Sequence, residues 1–183
     1  GVIPQFAFSD VSQASTPYTS GTLYPEAPQM GVVAFSFVVN NGGDAGVTGI
    51  TSQLATAMLE GGNRPLRMFT GLAGDASKKV YLTGRNDGSG TRTTFLAEVG
   101  YPIALPIKQY KATAASGVIS SLRLWPAGDG TNASTIWDND VDGNGGWFSG
   151  GSLTTTMGGT STSVTVYESD GVEVSFPAAA VSV

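Results

Sequence analysis

The residues best suited to chemistry stand together in Arg85-Asn86-Asp87-Gly88-Ser89-Gly90-Thr91. They follow a short apolar run, Val80-Tyr81-Leu82-Thr83, and precede a segment, 91–99, whose pattern is helical and which Gly100 and Pro102 close. A helix start offers unpaired N–H groups and a partial positive charge, both suited to an anion. Glycine lets the backbone approach that anion, and Ser89 and Thr91 add hydroxyl donors. Arg85 brings a planar fork that fits phosphate or carboxylate, and Asp87, two residues on, is placed to hold that fork. The plainer alternative is a turn with Ser89 as a helix cap. No Gly-Lys-Ser/Thr follows, so this is not a Walker loop. Asp87 stands where a nucleophile elbow needs its first glycine.

A second set of oxygen ligands lies at Asp138, Asp140 and Asp142, before Gly143, as in the opening of a calcium loop. Position twelve is Ser149 rather than Glu and no helical pattern leads in, so the run reads as a solvated acidic turn with calcium as the weaker alternative. Trp125, Trp137, Trp147 and Phe148 are read as core packing, with a sugar-stacking surface as the alternative. Asn132-Ala133-Ser134 matches the glycosylation pattern by chance, and Lys78-Lys79 reads as a solvated pair.

Several elements must position these groups. Residues 30–40 form a β-branched, aromatic and nearly unbroken apolar run, expected to be a strand buried on both faces and stopped by Asn40-Asn41-Gly42-Gly43. Ile50, Leu54 and Met58 recur every four residues, predicting a helix over 48–60 with Gly61-Gly62 as its stop. Strands are expected at 80–83 and 121–125, a loop over 129–151 and a short helix over 151–157. Alternation on both sides of Ser169-Asp170-Gly171 predicts a hairpin over 164–176. The fold class is therefore α/β, a mixed sheet flanked by helices with a C-terminal β-hairpin.

Composition narrows the chemistry. Among 183 residues there is no Cys and no His, which excludes disulfides, thiolate metal sites, a Ser-His-Asp triad and a standard zinc site. A formal charge of −5 argues against nucleic acid as a partner. Glycine, at 26 residues, is roughly twice its usual share, and charged residues, at 13%, are about half theirs. No apolar window is long enough to span a membrane, and the first residues carry no signal-peptide pattern.

The order of three features resembles the phosphate-binding proteins of bacterial ABC transporters: Phe8-Ser9-Asp10, then Pro28 and the apolar run ending at Asn40, then Arg85 to Thr91. The loop Gly143-Asn144-Gly145-Gly146 is similar to that family's Gly-Asn-x-Gly loop. The resemblance spans about residues 5–158, and Asp-Gly-Ser-Gly-Thr is its most specific part. It implies a type II periplasmic-binding-protein fold whose lobes clamp phosphate. On that likeness Asp10 would accept a hydrogen bond from a protonated phosphate oxygen. Arg85 would be the charged partner braced by Asp87; Ser89, Gly90 and Thr91 would donate, and Ser9 would assist. The family's earlier Gly/Ser/Thr-rich loops precede its Ser-Asp, so this chain is expected to lack the N-terminal part of the first lobe. Residues 1–35 and 159–183 would be first-lobe remnants with the crossing segment, and 36–158 the anion-binding lobe.

The function expected from these readings is binding of phosphate or another oxyanion by an exported protein of the periplasm or cell surface, with an ABC permease as partner. It needs no cofactor and involves no catalysis. The alternative is a structural or adhesive envelope domain that keeps the fold without a ligand.

Overall fold

A computed structural model describes residues 12–16, 18, 20–22, 34, 36–125, 143–161, 164–167, 173–176 and 180–182. The chain is mixed α/β. Its elements run α1 (Ser52–Gly61), β1 (Asn63–Pro65), α2 (Arg67–Thr70), β2 (Lys79–Leu82), α3 (Gly90–Val99), β3 (Tyr110–Ala115), β4 (Val118–Leu124), α4 (Gly150–Met157), β5 (Val164–Tyr167), β6 (Glu173–Phe176) and β7 (Ala180–Ser182).

The strands form two mixed sheets rather than one. In the first, β1 pairs antiparallel and β7 parallel to the central β2. In the second, the order is β3-β4-β5-β6, with the β4–β5 pair parallel and the outer two pairs antiparallel. The expected C-terminal hairpin is β5–β6, in register from Val164↔Phe176 to Tyr167↔Glu173. Through β4 it is hydrogen-bonded into the same sheet as β3, so the C-terminal strands complete sheets begun within residues 63–124.

β2 carries the architecture. Val80 and Leu82 enter one apolar cluster with Met58, Leu59, Leu66, Leu96, Tyr101 and Ile107. Tyr81 points the other way, into a cluster with Tyr110, Ile119, Leu122, Met157, Val164 and Val166. The period-two alternation of a strand puts its neighbours on opposite faces, and here both faces are covered. The strand that leads to Arg85 is thus held from both sides.

α1 starts later than its apolar spacing predicts. Thr51 is the cap, its hydroxyl accepting from Leu54 N at 3.2 Å, and Ala55, Met58 and Leu59 form the buried stripe. Gly62 ends it in the left-handed region (φ +73°), where a Cβ would also crowd the Tyr110 ring. α3 matches its expected range to one residue and ends at Gly100, whose N–H returns to Leu96 and Ala97 carbonyls.

Two expectations are corrected. The described part of 30–40 is not a buried strand: Ala34, Ser36, Phe37 and Val38 are exposed and belong to none of the named strands. An apolar run of that length signals burial only if two covering layers exist, and among the described residues none lies over Phe37 and Val38, although Phe37 meets the Phe95 ring edge-on at 5.1 Å. Val39 is half-buried and Asn40 buried, and residues 30–33 and 35 lie outside the described residues. The Lys78-Lys79 pair is not simply solvated either. Lys78 Nζ bonds Asp75 at 2.9 Å and lies 3.7 Å from Asp44, while Lys79 is the first residue of β2.

This cluster has a pH consequence. The hydrogen bond from Lys78, then that from the Thr70 hydroxyl, holds the Asp75 carboxyl below its ordinary range. A carboxylate with a depressed folded-state value stabilises the fold above its unfolded value, and that contribution is lost as pH falls through the folded one. Asp75→Asn is therefore expected to lower Tm near neutral pH, with the gap to the parent closing as pH falls below the ordinary Asp range and through the lowered folded-state value, in scanning calorimetry at a series of pH values. A gap that stays constant with pH contradicts the assignment.

Candidate functional site

β2 delivers the chain into the Arg85–Thr91 run, and a turn closed by Ser89 N donating to Asn86 O (3.1 Å) feeds α3. Asp87 and Gly88 are the exposed corner of that turn. Ser89 is the cap residue, with Gly90 and Thr91 in the first turn of the helix.

Ser89 is only 5% exposed, and its Oγ is fully covered yet has no hydrogen-bond partner among the described residues. The hydroxyl does not cap its own helix, unlike Thr51 at α1. A covered hydroxyl left unpaired costs about 1–3 kcal/mol, so this is an unspent donor at a helix start. By helix geometry the N–H groups of the first turn have no partner within the helix. No side-chain hydrogen bond engages Thr91 among the described residues, leaving a second hydroxyl at the same turn.

Arg85 is held differently from expectation. Its Nε donates to Trp147 O and its Nη2 to Phe148 O, each at 3.1 Å, and Asp87 is not its brace. Lys78 makes both ion pairs found among the described residues. The reason is local geometry. Asp87 sits on the turn's outer corner, whereas two successive carbonyls of the 147–148 segment match the parallel N–H bonds along one edge of the fork. Nη1 keeps its hydrogens free of any acceptor among the described residues. It lies beside Gly150, the first residue of α4, where a Cβ would sit 3.4 Å from it.

The loop that grips Arg85 is bonded to every wall of the site. Trp147 N donates to Gly84 O and Asn86 N to Trp147 O, in a bridge parallel to the end of β2. The Trp147 indole donates to the Thr83 hydroxyl at 2.9 Å and meets Trp125 edge-on at 5.3 Å. Trp125 is buried, in line with core packing, while Phe148 is exposed. Lys111 Nζ lies over both indoles, 5.2 and 5.9 Å from the ring centres, and burial lowers its ammonium below the ordinary lysine value.

Two residues of this site, Arg92 and Gln109, escaped sequence reasoning, and Asn144 was read only as part of a glycine-rich loop. Arg92, 7% exposed and in the first turns of α3, donates through both terminal nitrogens to Asn144, to its main-chain oxygen and to Oδ1. Asn144 Oδ1 also accepts from Ile107 N at 3.0 Å, so the Gly143–Gly146 loop fixes the helix to the strand layer. Gln109, 1% exposed, donates from one amide nitrogen to Arg85 O and Gly145 O. All five of these bonds join residues more than twenty positions apart, and no local pattern encodes them. The Gly-rich spacing around Asn144 was the one available signal.

Ser9, Asp10, Asp138, Asp140 and Asp142 lie outside the described residues. Among the described residues no group of three carboxylates is placed to hold a metal, and no helix is long and apolar enough to cross a membrane. A shallow apolar recess of about 100 Å³, lined by Phe37, Val38, Val47, Ile50 and Phe69 among others, includes none of the predicted site residues. Compared with protein-family models, curated proteins and solved structures, the chain matches none.

Proposed function

We propose that the chain binds inorganic phosphate or a similar oxyanion at the start of α3, as an exported solute-binding protein of the type II periplasmic kind serving an ABC-type uptake system. The observation that carries the reading is the covered, unpartnered Ser89 Oγ at the cap of a ten-residue helix. A tetrahedral oxyanion supplies the acceptor that this hydroxyl lacks. It also takes the first-turn N–H groups, the Thr91 hydroxyl and the free Nη1 edge of Arg85, and it complements the positive end of the helix. Asp10, by the family likeness, would accept the proton that phosphate still carries at neutral pH and sulfate does not, and so discriminate between them. Binding here involves no bond making, and no residue is assigned a catalytic role.

Ser89→Ala separates a ligand donor from a structural hydroxyl. Removing an unpaired covered hydroxyl is expected to leave Tm unchanged or slightly raised. Phosphate affinity, read by calorimetry, is expected to fall about tenfold, the worth of one hydrogen bond to a charged group. An unchanged affinity contradicts the site.

The engagement of Arg85 Nε and Nη2 by main-chain carbonyls favours a second reading, a structural or adhesive envelope domain in which the arginine only ties loops together. The parent protein decides between the two. Heat of binding with millimolar phosphate supports the receptor, and its absence, with Arg85→Ala lowering Tm alone, supports the structural domain.

A further inference from the structure

We propose that Gln109 is a positioning residue that fixes the direction in which Arg85 faces the anion; the inference rests on the oxyanion reading above. Gln109 stands immediately before β3, at a crossing of three segments. Its main-chain N donates to Gly143 O at 3.0 Å, and its carbonyl accepts from Trp125 N at 2.9 Å. Its side-chain nitrogen spends two hydrogens on two carbonyls, Arg85 O on one side and Gly145 O on the other. A residue 1% exposed in an apolar layer costs desolvation when it is an amide, so it is retained only where its donors are needed. Here they hold together the two segments that orient the guanidinium.

The chain of bonds is closed. Gln109 fixes the Arg85 carbonyl, and Trp147 O receives both Asn86 N and Arg85 Nε. Phe148 O takes Nη2. With its side edge held by the 147–148 carbonyls, Arg85 has its end edge left for a ligand. Losing the Gln109 bridge leaves the Arg85 main chain tied to the 145–147 segment by the Gly84–Trp147 and Asn86–Trp147 bonds alone, so the side edge and the carbonyls that hold it keep register less strictly.

Gln109→Glu tests this because the variant titrates. A protonated glutamic acid retains one donor for the two carbonyls, whereas a glutamate offers none and repels both. Burial moves its titration upward from the ordinary carboxylate range. Among the described residues the Gln109 side chain bonds main-chain carbonyls alone, so no titratable side chain is among its hydrogen-bond partners there. Phosphate affinity is measured for parent and variant in parallel, so that phosphate's own titration cancels in the ratio. The ratio is expected to be within about threefold at pH 5.5 and to widen to about tenfold or more at pH 8.5. Amide-type NMR of the Arg85 Nε–H, bonded to Trp147 O, is expected to show slow exchange in the parent and fast exchange in the variant at the higher pH.

A ratio equal at both pH values with Arg85 Nε–H equally protected overturns the proposal. Should Gln109→Glu fail to fold, Gln109→Met, similar in length and without donors, is expected to fold and to show the affinity loss and the fast Nε–H exchange at every pH; retained affinity and protection overturn the proposal there too. If the parent binds no phosphate, the oxyanion reading fails, and the Nε–H exchange of the variants alone decides the role of Gln109.

Discussion

Gly146→Ala is expected to lower Tm by roughly 6–12 °C and to remove phosphate binding together with it. A Cβ at this position would lie under 3.0 Å from the Arg85 carbonyl and 2.5 Å from Asn86 N, both backbone atoms that cannot rotate away. The 145–147 segment and the end of β2 would have to separate, breaking the Asn86–Trp147 and Trp147–Gly84 bonds that run beside it. Overpacking against rigid backbone costs about 3 kcal/mol, the upper part of its usual range. Gly88→Ala is the control. It lies within the motif itself, yet its Cβ would meet Asn86 Nδ2 alone, at 3.7 Å, and its φ is not in the left-handed region. Calorimetry is expected to find Gly88→Ala within about 0.5 kcal/mol of the parent. Equal effects at the two glycines would show that the close approach at Gly146 is not what the fold depends on.

Arg85→Ala is expected to weaken phosphate by about a hundredfold, since a charged donor to a charged acceptor contributes about 1.5–3 kcal/mol and the attraction of the full charge goes as well. Stability falls separately. The Trp147 and Phe148 carbonyls lose their donors, costing about 1–3 kcal/mol where water cannot replace them. Arg85→Lys separates the two effects. An ammonium keeps the charge but cannot place parallel N–H groups on two successive carbonyls while presenting a free edge. It is expected to recover part of the affinity and little of the Tm, by calorimetric titration and thermal unfolding. Full recovery of both would reduce Arg85 to a point charge.

Much of this fold can be read from local punctuation. Gly84, Gly100 and Pro102 bracket α3, and the stop at Gly61-Gly62 bounds α1 within a residue. The start of α1 was less legible because Ile50 continues the apolar spacing outside the helix, packed against the cluster that α1 covers. β3 left no signal. Tyr110-Lys111-Ala112-Thr113-Ala114-Ala115 is poor in β-branched and aromatic residues, and its turn at Ser116-Gly117, both at positive φ, is a weak hairpin mark compared with Asn-Gly or Asp-Gly. What holds it is the pairing of Tyr110 with Leu124 and Ala112 with Leu122 over the core.

The site was legible in its residue types and not in its connections. The Arg85–Thr91 run does lie between a strand and a helix, as its flanks imply. Asp87 is near Arg85 in sequence and was the natural brace, but the partners that hold the fork are carbonyls some sixty positions on, at 147 and 148. A main-chain acceptor has no residue signature, so such a contact cannot be read from composition or spacing. The same holds for Gln109 and for the Arg92–Asn144 link.

The partners of β2 also bear on how the molecule is made. Val80, Tyr81 and Leu82 pair with residues 180–182, about a hundred positions later, while β1 on the other side is nearly adjacent in sequence. Contacts of such wide separation form late, because the long intervening loop must first be closed. During synthesis the strand that leads to Arg85 therefore waits, apolar and with one edge open, until residues 180–182 have left the ribosome. A transcript cut short by a few codons before residue 180 would yield a chain that has every residue of the Arg85–Thr91 run and an unpaired strand leading to it. Its characteristic fate would be edge-to-edge association through that strand.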